Sequence, residues 1–213
     1  MGKLSFLISL MIISSLSLAI FPTAGYASKT DPLHTEVDDD DQSWFHNLCH
    51  GYRKLAKIHF YVQDLLKGDN QTVHEVARAN ITSNSATSFG SVRVLDNPMT
   101  AGPDINSEPV GRFQGLVTSA DLQILSFAMN INFVFTSGRF SGSSISISGM
   151  NPVMNEQREL PVIGGTGAFR FARGYVITTT YSSDPDKGYN VLEYTIYATY
   201  AHHSSITSCH ANT

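Results

Sequence analysis

The chain has 213 residues, 42% hydrophobic and 15% charged, with a formal net charge of −4. That length suits one domain plus processing segments, with enough apolar side chains to fill a core. Lys and Arg total only 14 and are scattered, too sparse for the cationic field that phosphate binding needs, so nucleic acid is excluded as a partner.

In chain order, residues 1–27 read as an export signal. Lys3 supplies the positive start, Leu4 to Phe21 the apolar run, and Gly25 and Ala27 the small residues before a cleavage point after Ala27. Ser5, Ser9, Ser14, Ser15 and Ser17 weaken that run as a membrane span, and no basic stop-transfer cluster follows. A secreted protein without membrane association is the expectation. Asn70-Gln71-Thr72 and Asn80-Ile81-Thr82 are glycosylation acceptors, in keeping with export. The only cysteines, Cys49 and Cys209, are expected to pair in an oxidising compartment, two free thiols being the alternative. Closing a loop that long would contribute about 5 kcal/mol through the lost entropy of the unfolded chain.

Residues 28–57 form a polar leader. Its Asp38-Asp39-Asp40-Asp41 run repels itself and lacks the alternating ligands and turn glycine of a calcium loop. Trp44 to Leu55 allows a short helix. From Ile58 the period becomes two, and a domain over 58–202 is expected, followed by a tail over 203–213. Ile58, Phe60, Val62 and Asp64 share one face. Phe127, Met129, Ile131, Phe133 and Phe135 alternate with polar residues, as do Ile145 and Ile147, and Leu192, Tyr194, Ile196, Ala198 and Tyr200. Val76–Ile81, Ser91–Leu95, Arg112–Thr118 and Gly174–Tyr181 are further predicted strands. Asp96-Asn97-Pro98, Ser137-Gly138, Gly164-Gly165-Thr166-Gly167 and Asp184 to Gly188 are predicted turns. The pattern predicts an all-β fold, an eight-stranded antiparallel barrel with a sandwich as second choice. A barrel of that size holds one small ligand at its mouth.

The chain carries no Gly-x-Ser-x-Gly elbow and no phosphate loop. Its 8 histidines, including His46, His50 and the adjacent His202-His203, lack companions at metal-ligand spacing, so no metal is expected. No haem, flavin, copper or redox-dithiol signature is present either, and no cofactor is expected.

Three segments carry a resemblance. They are Phe60-Tyr61-Val62-Gln63-Asp64-Leu65-Leu66, Pro109-Val110-Gly111-Arg112-Phe113-Gln114-Gly115, and the stretch from Gly149 through Arg158 to Tyr175 that contains Leu160-Pro161-Val162-Ile163-Gly164-Gly165-Thr166-Gly167. Together they resemble the plant dirigent protein family. The resemblance implies a secreted, apoplastic homo-oligomer, dimer or trimer, that lacks oxidase activity. It implies work beside a laccase or peroxidase that makes phenoxy radicals, with the barrel orienting phenolic substrates of the monolignol type for stereoselective coupling. Pterocarpan synthases, related members, instead guide ring closure through a quinone methide. A cell-wall scaffold for lignin polymerisation is a further alternative.

Asp64 matches the family's acid, and its parity places it on the apolar face, where lost hydration would raise its pKa. The alternative is a strand-end cap. Arg158 matches an arginine that would hold a phenolate or quinone-methide oxygen, unless it is paired with Glu156 or Glu159. Arg112, Phe127, Phe133, Asn151 and Phe171 are the expected substrate-binding residues, with structural roles as the alternative for Arg112 and the aromatics. Asn151 stands where lignan-forming members have a second acid, and Val117 and Ser119 stand where they have two tyrosines. These departures point away from pinoresinol formation.

Overall fold

The computed structural model describes residues 53–201. The strands are β1 (Arg53–Leu65), β2 (Val73–Ala77), β3 (Val92–Thr100), β4 (Pro109–Ser119), β5 (Ser126–Phe135), β6 (Ser144–Pro152), β7 (Gln157–Thr166), β8 (Arg173–Asp184) and β9 (Tyr189–Ala201). Neighbours pair antiparallel in the order β1-β9-β8-β7-β6-β5-β4-β3-β2. Tyr61 and Val62 of β1 also pair with Thr100 and Met99 of β3. That second seam closes β1 and β3 to β9 into an eight-stranded antiparallel barrel, with β2 an appendage on the β3 edge. Closure leaves β1 between β9 and β3, a position that decides the surroundings of Asp64.

Strand alternation turns every second side chain inward. Phe60, Phe113, Phe133 and Tyr194 meet near the middle of the barrel. Phe60 stacks on Tyr194 at 5.9 Å between centroids, and Phe133 stands edge-on to Phe60 at 5.3 Å. Below them, Phe135, Phe140, Phe169 and Tyr200 fill the end at which β5 finishes and β8 begins, with Phe140 and Phe169 at 4.6 Å. Each such ring contributes about 1.5–3 kcal/mol by leaving water. The base is therefore an aromatic plug. The opposite, upper end receives the ends of β1, β4, β6 and β8 and the starts of β3, β5, β7 and β9.

Three sequence expectations change. Val76–Ile81 is not a strand throughout, since β2 covers Val73–Ala77 and the chain then turns toward a 3-10 turn at Thr82–Asn84. Asp96-Asn97-Pro98 is not a turn but lies inside β3, with Asn97 buried. β7 was not foreseen, because its glycines and Pro161 read as turn material. Gly164 to Thr166 belong to it, and only Gly167 opens a 3-10 turn. Pro161 is tolerated because the β6–β7 ladder runs from Ser144↔Thr166 to Ile147↔Val162 and stops short of it. Its ring lies over Gly149, whose missing side chain leaves that room.

The predicted helix over Trp44 to Leu55 falls mostly outside the described residues, and Arg53 to Leu55 belong to β1. The signal segment, the Asp-rich run, Cys49, Cys209, His46, His50, His202, His203 and the tail also lie outside them. Among the described residues no helix is long and apolar enough to cross a membrane.

Gly174 shows how closely the barrel wall is packed. Its φ is +157°, and a Cβ there would sit 1.9 Å from the Tyr197 carbonyl oxygen across the β8–β9 pairing. We predict that Gly174→Ala lowers stability by at least about 1–3 kcal/mol, the usual cost of overpacking. Urea unfolding checks this, and an unchanged midpoint would contradict the packing described.

Candidate functional site

Above the aromatic plug the inward positions change from apolar to polar. Asp64 ends the inward face of β1, half-buried. Asn97 on β3 donates from Nδ2 to its Oδ1 at 2.9 Å, and Asn190 on β9 donates from Nδ2 to its Oδ2 at 3.0 Å. Each amide is itself oriented. The Thr72 hydroxyl donates to Asn97 Oδ1 at 2.6 Å and the Ser183 hydroxyl to Asn190 Oδ1 at 2.7 Å, so both amides must present N–H to the carboxylate. The expected greasy face thus becomes an amide clamp. Burial pushes the Asp64 pKa above its ordinary value. The donors from Asn190 and Asn97 and the charge of Arg93 pull it back without cancelling the rise.

A second group faces inward from the next strands around the ring. Arg158 on β7 pairs with Thr178 on β8, and Thr178 pairs with Tyr194 on β9. Arg158 is 4% exposed. Its Nε donates to Asn151 Oδ1 at 3.3 Å, and Nη1 donates to the carbonyls of Asn155 and Glu156 and to the Thr180 hydroxyl at 3.2–3.4 Å. The alternative of a salt bridge to Glu156 or Glu159 is not what forms: among the described residues no carboxylate reaches Arg158, and Glu156 offers only its backbone. Burial lowers the Arg158 pKa from its ordinary value. Asn151, also 4% exposed, donates only to the Met129 thioether at 3.2 Å, a weak acceptor.

The other expected site residues divide. Phe127 is half-buried on the inward face of β5, with the Arg93 guanidinium 5.7 Å from its ring centre. Val117 and Ser119 face inward near it on β4, both buried. Phe133 lies deeper, inside the aromatic plug. Arg112 faces outward on β4, where Nε pairs with Asp96 Oδ1 at 2.7 Å, which makes its place structural. Phe171 follows the 3-10 turn Gly167–Phe169 with φ +57° and is 53% exposed near the base, away from the polar layer. Asn70 and Asn80 sit exposed in turns. Among the described residues no cluster of His, Cys, Asp or Glu could hold a metal ion.

Arg93, Asn97, Asn190, Thr178 and Tyr194 were not singled out as site residues in the sequence. Parity alone offered a signal, since Tyr194 shares the inward period of β9 and Asn190 extends it upward.

Because the folded state holds the Asp64 proton more tightly than the unfolded chain, this group opposes folding at neutral pH. That penalty fades as the pH falls through the raised folded value toward the ordinary one. Asn97→Ala or Asn190→Ala removes a donor that favours the carboxylate and should move the titration of Asp64 further upward. Carbon-13 NMR of the labelled carboxyl reads this, and an unmoved or lowered titration would refute the clamp.

The family model described as Dirigent-like protein matches residues 55–199. The chain is 52% identical over 128 residues to Dirigent protein 11 of Arabidopsis thaliana, covering 60% of this chain and 66% of that protein. It is 39% identical over 150 residues to Pterocarpan synthase 1 of Glycine max, covering 69% of this chain and 81% of that one. Among solved structures it is similar to a pterocarpan synthase dirigent protein at a TM-score of 0.66 and 37% identity, covering 73% of this chain and 90% of the other. With an eight-stranded barrel, a family match across nearly all its strands and relatives of this identity, the chain belongs to the dirigent family.

Proposed function

We propose that this protein directs the stereochemistry of phenolic coupling, taking phenoxy radicals made by a separate laccase or peroxidase and binding them at the upper end of its barrel. The observation that carries the reading is that Asp64, a carboxyl with a raised pKa, and Arg158, a buried guanidinium with no acid partner among the described residues, both face inward there. Two phenoxy radicals pair their electrons in one new carbon–carbon bond, giving quinone methides. A hydroxyl then adds to a quinone-methide carbon and its proton passes to the Asp64 carboxylate. The quinone-methide oxygen becomes a phenolate held by Arg158 and afterwards takes up that proton. An acid poised above the ordinary aspartate range suits both halves of this transfer, and a charge-assisted donor suits the phenolate.

The cellular setting belongs to the same proposal. Secretion into the apoplast is supported by the signal-like residues 1–27, and glycosylation by the exposure of Asn70 and Asn80. Assembly as a dimer or trimer is supported by the exposed Ile163, Tyr175 and Tyr181.

A second reading is favoured by the likeness to pterocarpan synthases in sequence and structure. In it the same residues handle a quinone methide formed by loss of water from an isoflavonoid-like alcohol, and no oxidase takes part.

The test mixes the purified protein with a laccase and a panel of monolignols and measures enantiomeric excess. The expected result is an excess of one enantiomer for at least one substrate, falling toward racemic in Asp64→Asn. Racemic products throughout would contradict the coupling reading. For the second reading, turnover of the alcohol without oxidase should fall about 10²–10⁴-fold in Asp64→Asn, and a full rate in that variant would remove Asp64 as the proton carrier.

A further inference from the structure

The Thr178 and Tyr194 hydroxyls lie at neighbouring positions of the β8–β9 pairing, each on a residue 0% exposed. Among the described residues neither meets hydrogen-bond geometry with a partner, although the Thr178 side chain is near enough to lower the Tyr194 pKa somewhat. An orphaned buried hydroxyl costs about 1–3 kcal/mol, and native structures carry few of them. The residues beside them are short of acceptors too. Among the described residues the Arg158 Nη2 has no partner while Nε and Nη1 are engaged, and the Asn151 amide nitrogen is left with a thioether. Arg158, Thr178 and Tyr194 occupy successive register positions across β7, β8 and β9, and the charges of Arg158 and Asp64 act on the Tyr194 phenol in opposite directions. Burial pushes that phenol up to about 12, which keeps it a proton-bearing donor at neutral pH.

The Arg158 and Asn151 nitrogens can only donate, and each of the two hydroxyls can donate as well as accept. An acceptor oxygen placed among them meets a donor on every side, and the Arg158 charge favours a negatively charged oxygen over neutral water.

We infer that Thr178 and Tyr194, together with the free edge of Arg158, form a site for a single phenolate or quinone-methide carbonyl oxygen, and that these two hydroxyls determine which oxygen-bearing ring is accepted. The inference rests on the phenolic reading above and deepens it. The guest's oxygen lies at the Arg158 side, while its reacting carbon faces Asp64. An O-methylated ring fits poorly, because its ether oxygen bears no charge and its methyl group would meet Tyr194 and Thr178. The orphaned hydroxyls lower the stability of the empty barrel, a cost that function offsets.

The probe is 4-nitrophenol, whose phenolate is followed by its absorbance, and 4-nitroanisole is the O-methylated control. Wild type should bind the phenolate in preference to the ether. Tyr194→Phe should bind it about tenfold more weakly, the loss of one hydrogen bond to a charged group, and Thr178→Val should also bind more weakly. The free Tyr194→Phe protein should melt at the same temperature or higher, since an unpartnered polar atom has been removed. Asp64→Asn should bind the phenolate at least as well as wild type, because a nearby negative charge is gone. Equal phenolate affinity in wild type, Tyr194→Phe and Thr178→Val would overturn the inference, as would no preference of wild type for the phenolate over 4-nitroanisole. A lowered melting temperature in Tyr194→Phe would also overturn it, by showing that the hydroxyl has a structural partner. If phenolate binding depends on Tyr194 while coupling stays racemic, the proposed function fails and this inference stands. If coupling is stereoselective while Tyr194→Phe binds as wild type, the reverse holds.

Discussion

Closure of the sheet through its first strand is the constraint on which the site depends. β1 pairs with β9 along its whole length, and with β3 at only two positions before β3 continues upward past it. Asp64 therefore has a strand on each side, one delivering Asn190 and the other Asn97. In an open sheet one of those amides would be missing, and the carboxyl would face water along an edge. Held as it is, the group is pulled two ways. Desolvation resists its charge, and two oriented amide donors support it. Desolvation outweighs the donors, so the carboxyl holds its proton more tightly than an ordinary aspartate.

The barrel separates stability from chemistry along its axis. Aromatic rings fill the base and middle. Tyr200 at the base turns its hydroxyl toward Arg139, and Tyr194 has its ring in the plug and its hydroxyl in the layer above. The upper layer holds amides, hydroxyls, one acid and two arginines, several of them unsatisfied. A folded core normally pairs such groups. Their concentration at one end, rather than scattered through the barrel, is what gives them functional meaning.

Much of this architecture was legible in the sequence. β1, β5, β6 and β9 alternate cleanly, and the inward parity of Asp64 follows from Phe60 and Val62 alone. β7 was hidden because Pro161 and the glycines Gly164 and Gly165 mimic a loop, although Arg158, Leu160 and Val162 keep the inward period. The site was half visible. Asn97 looked like turn material beside Pro98, and only burial inside β3 shows that the amide serves the carboxyl. Asn97 and Asn190 lie 33 and 126 residues from Asp64 along the chain, a separation that strand register bridges and local pattern does not. For the same reason Phe171, which looked like a pocket aromatic, proves to lie outside the barrel at its base, and Arg112 proves to hold Asp96 on the outer wall.

In the proposed function a phenolic guest lies in the upper layer with its oxygen at Arg158 and its carbon skeleton toward Asp64. A crystal structure with a bound monolignol tests this most directly. The expected electron density places the phenolic oxygen within hydrogen-bonding distance of Arg158 and the rest of the molecule between Phe127 and Asp64. A guest seated on the outer wall of the barrel, with the polar layer unchanged from the free protein, would contradict the account.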